Sequence, residues 1–256
     1  MPRFAANISM LFTELDFPDR FAAASEAGFS GVEIHVPYQF SADELAQWAQ
    51  AANVEIVLIN APAGDHEIRE PGIACRPERV EEFRESIKSA VEYANILTCS
   101  RVNILAGRCN DDSRLSHQTL VNNLTYAADA LAQINANALL EPINGVDVSD
   151  YMVQTTGYAS ECIIEVDREN MKLQLDIYHR QVSEGNIARA LRDYYPLIGH
   201  IQFADSPGRH QPGTGGIDFP DFFRQVEQTA YKSWLGAEYI PEGKTSNSLD
   251  WLQATL

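Results

Sequence analysis

The feature that most constrains the fold is an alternation of short β-rich runs with helix-like segments along the whole chain. Eight runs predict strands, at Phe4–Ile8, Gly31–Ile34, Val54–Leu58, Arg101–Leu105, Ala138–Leu140, Met171–Leu175, His200–Ala204 and Trp234–Ala237. All but the last precede a predicted helix, at Pro18–Ala27, Ser41–Ala52, Arg79–Ile96, Gln118–Ile134, Thr156–Val166, Ile187–Tyr194 and Phe219–Thr229. This alternation predicts an α/β fold, a closed parallel (β/α)8 TIM barrel that forms a single domain over residues 1–256.

Local signals support this reading. Ser41 with Glu44 three residues later is typical of a helix start, and Gly28 is placed to end a helix in a left-handed turn. An open doubly wound sheet is the alternative, but it usually has a glycine-rich turn after its first strand. The segment Asn7-Ile-Ser-Met-Leu-Phe-Thr contains no glycine, which favours the barrel.

Loop lengths indicate where a site would lie. The long irregular segments all follow strands, at Asn60–Glu78, Ala106–His117, Pro142–Thr155 and Asp205–Asp218. The connections from helix back to strand are short. Because all strand-to-helix loops of a barrel lie on one face, we expect the functional site at the carboxyl ends of the strands.

Composition and charge narrow the function classes. The chain has 36 acidic and 19 basic residues, and its formal net charge of -17 repels phosphate backbones and anionic membranes. We therefore expect a small-molecule partner and no nucleic acid.

No uncharged run of about eighteen apolar residues is present, so we expect no membrane span. Four scattered cysteines without a Cys-x-x-Cys pair indicate free thiols in a reducing cytoplasm. Trp234, Trp251 and the apolar helices leave a homo-oligomer open.

Polar residues stand at the ends of the last four predicted strands. They are Glu141, Asp176, Gln202 and Glu238. Any one of them could cap a helix or form a salt bridge, but four at successive strand ends favour a shared site. Three carboxylates at one mouth repel each other, and a divalent cation removes that repulsion. A set of oxygen ligands suits Mg2+ or Mn2+ rather than zinc.

Other polar residues fall near the same face. His179 lies three residues after Asp176 and should reach over the mouth, and Arg209 in a loop rich in Gly and Pro could clamp a carboxylate. Each could instead be structural or surface-exposed. Glu33, near the end of the second strand, could be a hydrogen-bond partner of the site, and His200 shares a strand face with Gln202. His35 and His66 also fall in segments on the mouth side of the barrel, but they are weaker candidates for the site.

Several segments resemble the hydroxypyruvate isomerase family, one of the xylose-isomerase-like barrels, over residues 3 to about 251. They are Phe4-Ala-Ala-Asn-Ile-Ser-Met-Leu-Phe, Gly31-Val-Glu, Asn60-Ala-Pro-Ala-Gly-Asp, Leu140-Glu-Pro-Ile-Asn, Leu175-Asp-Ile-Tyr-His-Arg-Gln, Gly199-His-Ile-Gln, Pro212-Gly-Thr-Gly and Gly236-Ala-Glu-Tyr. The resemblance implies that Glu141, Asp176, Gln202 and Glu238 bind a metal. It also implies that Glu141 and Glu238 are the catalytic acid–base pair and that His179 and Arg209 contact substrate.

The resemblance implies an isomerase that interconverts hydroxypyruvate and tartronate semialdehyde by metal-assisted proton transfer. The sequence departs from the family at Gly216, where a Glu is usual, and at His35, where an apolar residue is common. Gly216 puts the fit of the substrate or the order of its loop in doubt. The alternatives are an isomerase of 2-oxo-tetronates, or another small sugar or sugar-acid isomerase or epimerase. More remote ones are an abasic-site nuclease and a non-catalytic ligand-binding barrel.

Overall fold

The described part of the chain, residues 3–65, 67–68, 70–109 and 113–253 of a computed structural model, forms one closed barrel. Its eight strands, β1 to β8 in chain order, are Arg3–Asn7, Gly31–Ile34, Glu55–Asn60, Arg101–Ile104, Asn137–Leu140, Met171–Asp176, Ile198–Phe203 and Trp234–Ala237. Each strand pairs in parallel with the next along the chain, and β8 closes the barrel against β1. The predicted TIM barrel is confirmed, and every predicted strand is present with small shifts at its ends.

Helices cover the outside of the barrel. In chain order α1 to α9 they are Asp19–Glu26, Ala42–Ala52, Val80–Ile96, Ser113–Ala132, Thr156–Val166, Ile177–Ser183, Ile187–Tyr194, Phe219–Gln228 and Asp250–Gln253. The predicted capping box of Ser41 and Glu44 is present at the start of α2. Gly28 takes a φ of 100° just beyond α1, as expected for a left-handed turn.

Three helices differ from the prediction. Helix α4 begins at Ser113, before the predicted Gln118. Helix α6 was not predicted, and it starts directly after β6 because the Asp176 side chain accepts a hydrogen bond from the Tyr178 backbone N–H. The last strand was predicted to have no helix after it, but the short α9 follows it.

Alternation along the strands builds layers inside the barrel. The floor is an apolar cluster, and its members are Ala5, Val57, Leu58, Leu139 and Trp234. Two residues further along the strands the inward-facing side chains are polar, for example Glu33 and His200, and both are fully buried. The next inward-facing positions, two residues further toward the carboxyl ends of the strands, form the mouth of the barrel. Outward-facing residues such as Phe4 and Phe203 pack edge-on against Phe223 of α8.

The two tryptophans considered for a subunit interface lie in the core of the chain. Trp234 is 1% exposed and Trp251 is 9% exposed. Trp251 packs against Phe4 and Phe203, so neither ring is left to cover a partner. These rings fill the barrel floor and the space between the barrel and its last helices, so they give no argument for or against the homo-oligomer that the sequence left open. Within the described residues, no helix combines the length and hydropathy needed to cross a membrane.

Candidate active site

The four polar residues at the strand ends meet at the mouth of the barrel. Glu141 directly follows β5, Asp176 ends β6, Gln202 lies in β7, and Glu238 directly follows β8. All are buried, with 5% exposure at most. Because the strands are arranged in chain order, the two glutamates flank Asp176 and Gln202 around the mouth.

Two of these carboxylates form a tight acidic group with His179. One ligand atom from each of Glu141, Asp176 and His179 lies within 4.8 Å of the others. Burial raises the pKa of Glu141 well above its usual range, and the charges of Glu238 and Asp176 raise it further. Burial and the charge of Glu238 raise the pKa of Asp176 to about 7. The site therefore holds its negative charge poorly without a cation.

Asp176 has an oxygen that is suited to bind that cation. Its Oδ1 caps α6 by accepting from the Tyr178 backbone N–H at 2.8 Å. Its Oδ2 is buried and has no hydrogen-bond partner among the described residues, since Nε2 of His179 and Nη2 of Arg209 are both 3.7 Å away. A buried, unpartnered carboxylate oxygen beside a second carboxylate is unfavourable unless a cation lies there. These oxygen donors fit a hard divalent ion such as Mg2+ or Mn2+.

His179 is held neutral, with its proton on the side of the site. Burial and the positive charge of Arg209 lower its pKa to about 3. Its Nδ1 is 2.7 Å from Nδ2 of Asn144. The Asn144 amide is oriented because its Oδ1 accepts from the backbone N–H groups of Val146 and Asp147. Nδ1 of His179 is therefore an acceptor, and Nε2 carries a hydrogen that can be donated to a ligand.

Arg209 lies in the mouth. Its Nη2 donates to Oε1 of Glu238 at 2.5 Å, and its guanidinium lies 5.2 Å from the centre of the Tyr178 ring. It is thus a cation that meets the carboxylates of the mouth. Arg108 instead donates to the Ser149 carbonyl oxygen.

The loop that carries Arg209 is organised by a buried aspartate. Asp205 is fully buried, and its two carboxylate oxygens accept hydrogen bonds from four backbone N–H groups of the loop. The loop rich in Gly and Pro thus has a defined shape. Arg209 itself takes a left-handed φ of 58° within it, which turns its side chain toward the mouth.

Glu238 stays ionised in the same mouth. Burial alone would raise its pKa, but the charges of His35 and Arg209 outweigh burial and lower the pKa to about 2. Nε2 of His35 lies 3.3 Å from Oε1 of Glu238. The two glutamates therefore differ in how readily they bind a proton, since the pKa of Glu141 is raised and that of Glu238 is lowered.

A buried polar layer lies directly below the mouth and orients Gln202. Nε2 of Gln202 donates to Oε2 of Glu33 at 2.8 Å, and its Oε1 accepts from Nε2 of Gln174 at 2.5 Å. Oε1 of Glu33 is 2.5 Å from Nε2 of His200. Gly236 makes room for this carboxylate, because a Cβ atom there would lie 1.9 Å from Oε1 of Glu33.

The xylose isomerase-like TIM barrel family matches residues 21–255 of the chain. The chain belongs to this family. Hydroxypyruvate isomerase of Escherichia coli (strain K12) is 41% identical over 254 residues, which are 98% of this chain and 98% of that protein. The 2-oxo-tetronate isomerase of Pectobacterium atrosepticum is 38% identical over 258 residues, which are 100% of this chain and 98% of that protein.

Solved structures agree with this membership. The crystal structure of an AP endonuclease, family 2, from Brucella melitensis superposes with a TM-score of 0.97 at 37% identity and covers 99% of both chains. That of a 3-keto-D-glucoside 4-epimerase from E. coli has a TM-score of 0.82 at 21% identity, with 99% of both chains covered. The latter likeness supports the fold alone.

A cavity of about 1090 Å³ in this xylose isomerase-like barrel is lined among others by His35, Tyr38, Asn60 and Arg209. Glu141, Asp176 and Glu238 do not line it, but His35 and Arg209 connect it to the site through their contacts with Glu238. Gly216 does not line it. Gly216 instead borders a separate cavity of about 230 Å³, with Gln181, Asn186 and Asp218. His66 lies outside the described residues.

Sequence reasoning missed some residues of the site. Asn103 donates to Oε2 of Glu141 at 2.7 Å, and Asn144 and Gln174 orient His179 and Gln202. Asn7 donates to Glu33 from β1. The alternation of side chains along each strand could have indicated Asn7 and Gln174, since both stand at inward-facing positions of predicted strands.

Proposed function

We propose that this barrel is an isomerase that interconverts hydroxypyruvate and 2-hydroxy-3-oxopropanoate (tartronate semialdehyde) through an enediolate. The observation that carries the proposal is the pair of buried glutamates, Glu141 and Glu238, which flank Asp176 and Gln202 at one barrel mouth. The relative from E. coli, named hydroxypyruvate isomerase, supports the choice of substrate.

The reaction moves a hydrogen between neighbouring carbons while the carbonyl and hydroxyl oxygens exchange roles. A proton on a carbon beside a ketone is only weakly acidic, so the negative charge of the enediolate needs stabilisation. We assign Glu141, Asp176, Gln202 and Glu238 as ligands of a divalent cation, probed first with Mg2+ and Mn2+. When bound, the cation supplies positive charge beside the substrate oxygens where negative charge develops.

The side chains of the barrel would carry the proton. One glutamate of the pair takes the proton from the carbon, and the same or the other glutamate returns a proton to the neighbouring carbon. Nε2–H of His179 points to the site and would donate to a substrate oxygen. Arg209, already placed against Glu238, would bind the substrate carboxylate.

The first test is turnover of hydroxypyruvate by metal-stripped protein before and after addition of Mg2+ or Mn2+. Glu141→Gln and Glu238→Gln should each lower kcat by about 100-fold or more, because each removes a proton-transfer group. Asp65→Asn, at the rim of the cavity, is the matched control and should keep its turnover. Normal activity in either glutamine variant, with far-UV circular dichroism unchanged, would refute the assignment.

Arg209→Ala separates substrate binding from chemistry. It should raise KM for hydroxypyruvate by about tenfold or more with a smaller change in kcat, because a charged hydrogen bond to the carboxylate is lost. Steady-state kinetics with saturating metal give both constants. An unchanged KM would remove Arg209 from the substrate-binding set.

A second candidate substrate is a 2-oxo-tetronate. The Pectobacterium relative bears that name, and a cavity of about 1090 Å³ is larger than a three-carbon acid requires. Comparing kcat/KM for hydroxypyruvate and for 2-oxo-tetronates decides between them. Preference for the longer acid would keep the site and change the substrate.

The remaining alternatives fit less well. A nuclease needs a cationic groove, whereas the chain has a net charge of -17 and an acidic mouth. A ligand-binding barrel without catalysis needs no pair of glutamates in its mouth. The free thiols of Cys75, Cys99 and Cys162 fit a reducing compartment, and we propose the cytoplasm.

A further inference from the structure

His35 lies between the polar layer and the cavity. It directly follows β2, its side chain is 28% exposed, and its ring lines the cavity of about 1090 Å³. Its Nε2 is 2.8 Å from Nδ2 of Asn7 and 3.3 Å from Oε1 of Glu238. These contacts tie one edge of the ring to the site, and the question is what its other nitrogen does.

The hydrogen-bond network determines which ring nitrogen carries a hydrogen. Asn7 is fully buried, its Oδ1 accepts from the Ser9 backbone N–H, and its Nδ2 donates to Oε2 of Glu33. A flipped amide would place oxygen against the Glu33 carboxylate and nitrogen against the Ser9 N–H. Nδ2 of Asn7 is therefore a donor to Nε2 of His35, which excludes the neutral ring with its only hydrogen on Nε2.

The neutral ring that accepts at Nε2 from Asn7 carries its hydrogen on Nδ1. Protonation at Nε2 would replace the bond from Asn7 by one to Glu238 and would leave the hydrogen on Nδ1 in place. Nδ1 has no acceptor among the residues that the structure describes. His35 thus presents an unused N–H beside Glu238, on a ring that borders the cavity.

The neighbouring groups indicate which ligand atom this N–H would meet. Nη2 of Arg209 contacts the same oxygen of Glu238 as His35 does, and Arg209 lines the same cavity. A guanidinium and an N–H donor on one wall suit a carboxylate, which accepts hydrogen bonds through two oxygens.

We propose that His35 is a specificity-determining residue whose Nδ1–H donates to the carboxylate of the substrate, beside Arg209. The inference rests on the proposed function for the identity of that acid. It assigns a role to a residue outside the proposed metal and acid–base set, and it means that this chain recognises the acid group of the substrate with two side chains.

Two substitutions separate the nitrogens of the ring. His35→Asn keeps an N–H near the position of Nδ1, whereas His35→Gln keeps a polar group near Nε2 and removes the donor at Nδ1. His35→Met removes both at similar size. Val36→Ala, next in sequence on the same cavity, is the matched control. Circular dichroism and thermal unfolding check that each variant is folded.

Binding of pyruvate, which has the carboxylate but no hydroxyl with which to isomerise, is measured by calorimetry on the Mg2+-loaded protein. KM and kcat are measured for hydroxypyruvate and for dihydroxyacetone, which lacks the carboxylate. His35→Gln and His35→Met should weaken pyruvate binding and raise KM for hydroxypyruvate by about tenfold, the effect of one lost bond to a charged acceptor. His35→Asn should recover most of that loss. KM for dihydroxyacetone should not follow this order.

Pyruvate affinity in His35→Gln equal to that of the unsubstituted protein would overturn the proposal, and so would equal losses in the Asn and Gln variants. Loss of affinity for dihydroxyacetone to the same degree would also overturn it, because the carboxylate would then not be the group bound. The proposed function is tested separately. If hydroxypyruvate is not turned over but pyruvate binding follows the expected order, the reaction is wrong and the carboxylate site stands.

Discussion

Gly236→Ala tests whether the polar layer beneath the mouth holds the site together. Gly236 lies in β8, and an added Cβ atom would lie 1.9 Å from Oε1 and 2.7 Å from Oε2 of Glu33. The Glu33 carboxylate has no room to move, because it is fully buried and bonded to His200, Gln202 and Asn7. One methyl group must therefore displace a buried charge from its partners.

The cost can be worked from these contacts. Overpacking a core by a methyl group costs about 1–3 kcal/mol, and each hydrogen bond lost by a charged group costs about 1.5–3 kcal/mol. With one such bond broken, we expect the free energy of unfolding to fall by about 2.5–6 kcal/mol. Since Glu33 also orients Gln202, affinity for Mg2+ or Mn2+ should fall by about 10- to 100-fold.

Urea unfolding followed by circular dichroism measures the stability, and calorimetry measures the metal affinity. Gly157→Ala in α5 is the control, because its Cβ would lie 3.5 Å from the Tyr194 hydroxyl, an ordinary contact. The double variant with Glu33→Ala should be no less stable than Glu33→Ala alone, since the carboxylate that clashes is gone. A Gly236→Ala protein with unchanged stability and unchanged metal affinity would refute the reasoning.

Two further predictions concern the loop of Arg209 and the acidic group. Asp205→Ala removes the acceptor of four backbone N–H groups, so it should lower the free energy of unfolding by about 2–4 kcal/mol in urea titrations and raise KM by displacing Arg209. Asp176 binds its proton more tightly in the folded metal-free protein than in the unfolded chain, so protonated Asp176 stabilises the fold. This stabilisation is complete below the unfolded pKa of about 3.9, and it is lost as pH rises through the pKa of the folded protein. That folded pKa is about 7, so a proton must leave Asp176 before metal binds. Metal affinity by calorimetry should fall by about tenfold per unit as pH drops from 7 to 5, and a flat profile would contradict this.

The upper layer of the site could be predicted from the sequence because strand ends are visible there. Glu141, Asp176 and Glu238 each follow a short apolar run, and parallel strands bring their carboxyl ends to one edge. Which side chain faces inward at the mouth then follows from alternation along each strand. These are local properties, and the sequence carries them directly.

Glu33 and His200 of the layer below were named from the sequence, but their pairing could not be predicted in the same way. Glu33 pairs with His200 across 167 residues of chain, and the register of β2 with β3 shifts between Val32 and Glu33. A similar shift lies between Leu173 and Gln174, next to the contact of Gln174 with Gln202. Irregular register changes which residues face each other, and the sequence pattern does not record it. Helix α6 was not predicted because Asp176 both ends β6 and caps α6, so no loop in the sequence marks where the helix starts.

The charges of the mouth also limit how a substrate can be recognised. Glu141, Asp176 and Glu238 carry three negative charges when ionised, and Arg209 with a divalent cation would balance them, while His179 is neutral. An acid substrate then enters a mouth without net positive charge, so short-range donors rather than long-range attraction must select its carboxylate. KM should accordingly change little between low and physiological salt. A KM that rises steeply with salt would show instead that steering by charge dominates, and the role given to the His35 donor in selecting the carboxylate would be too large.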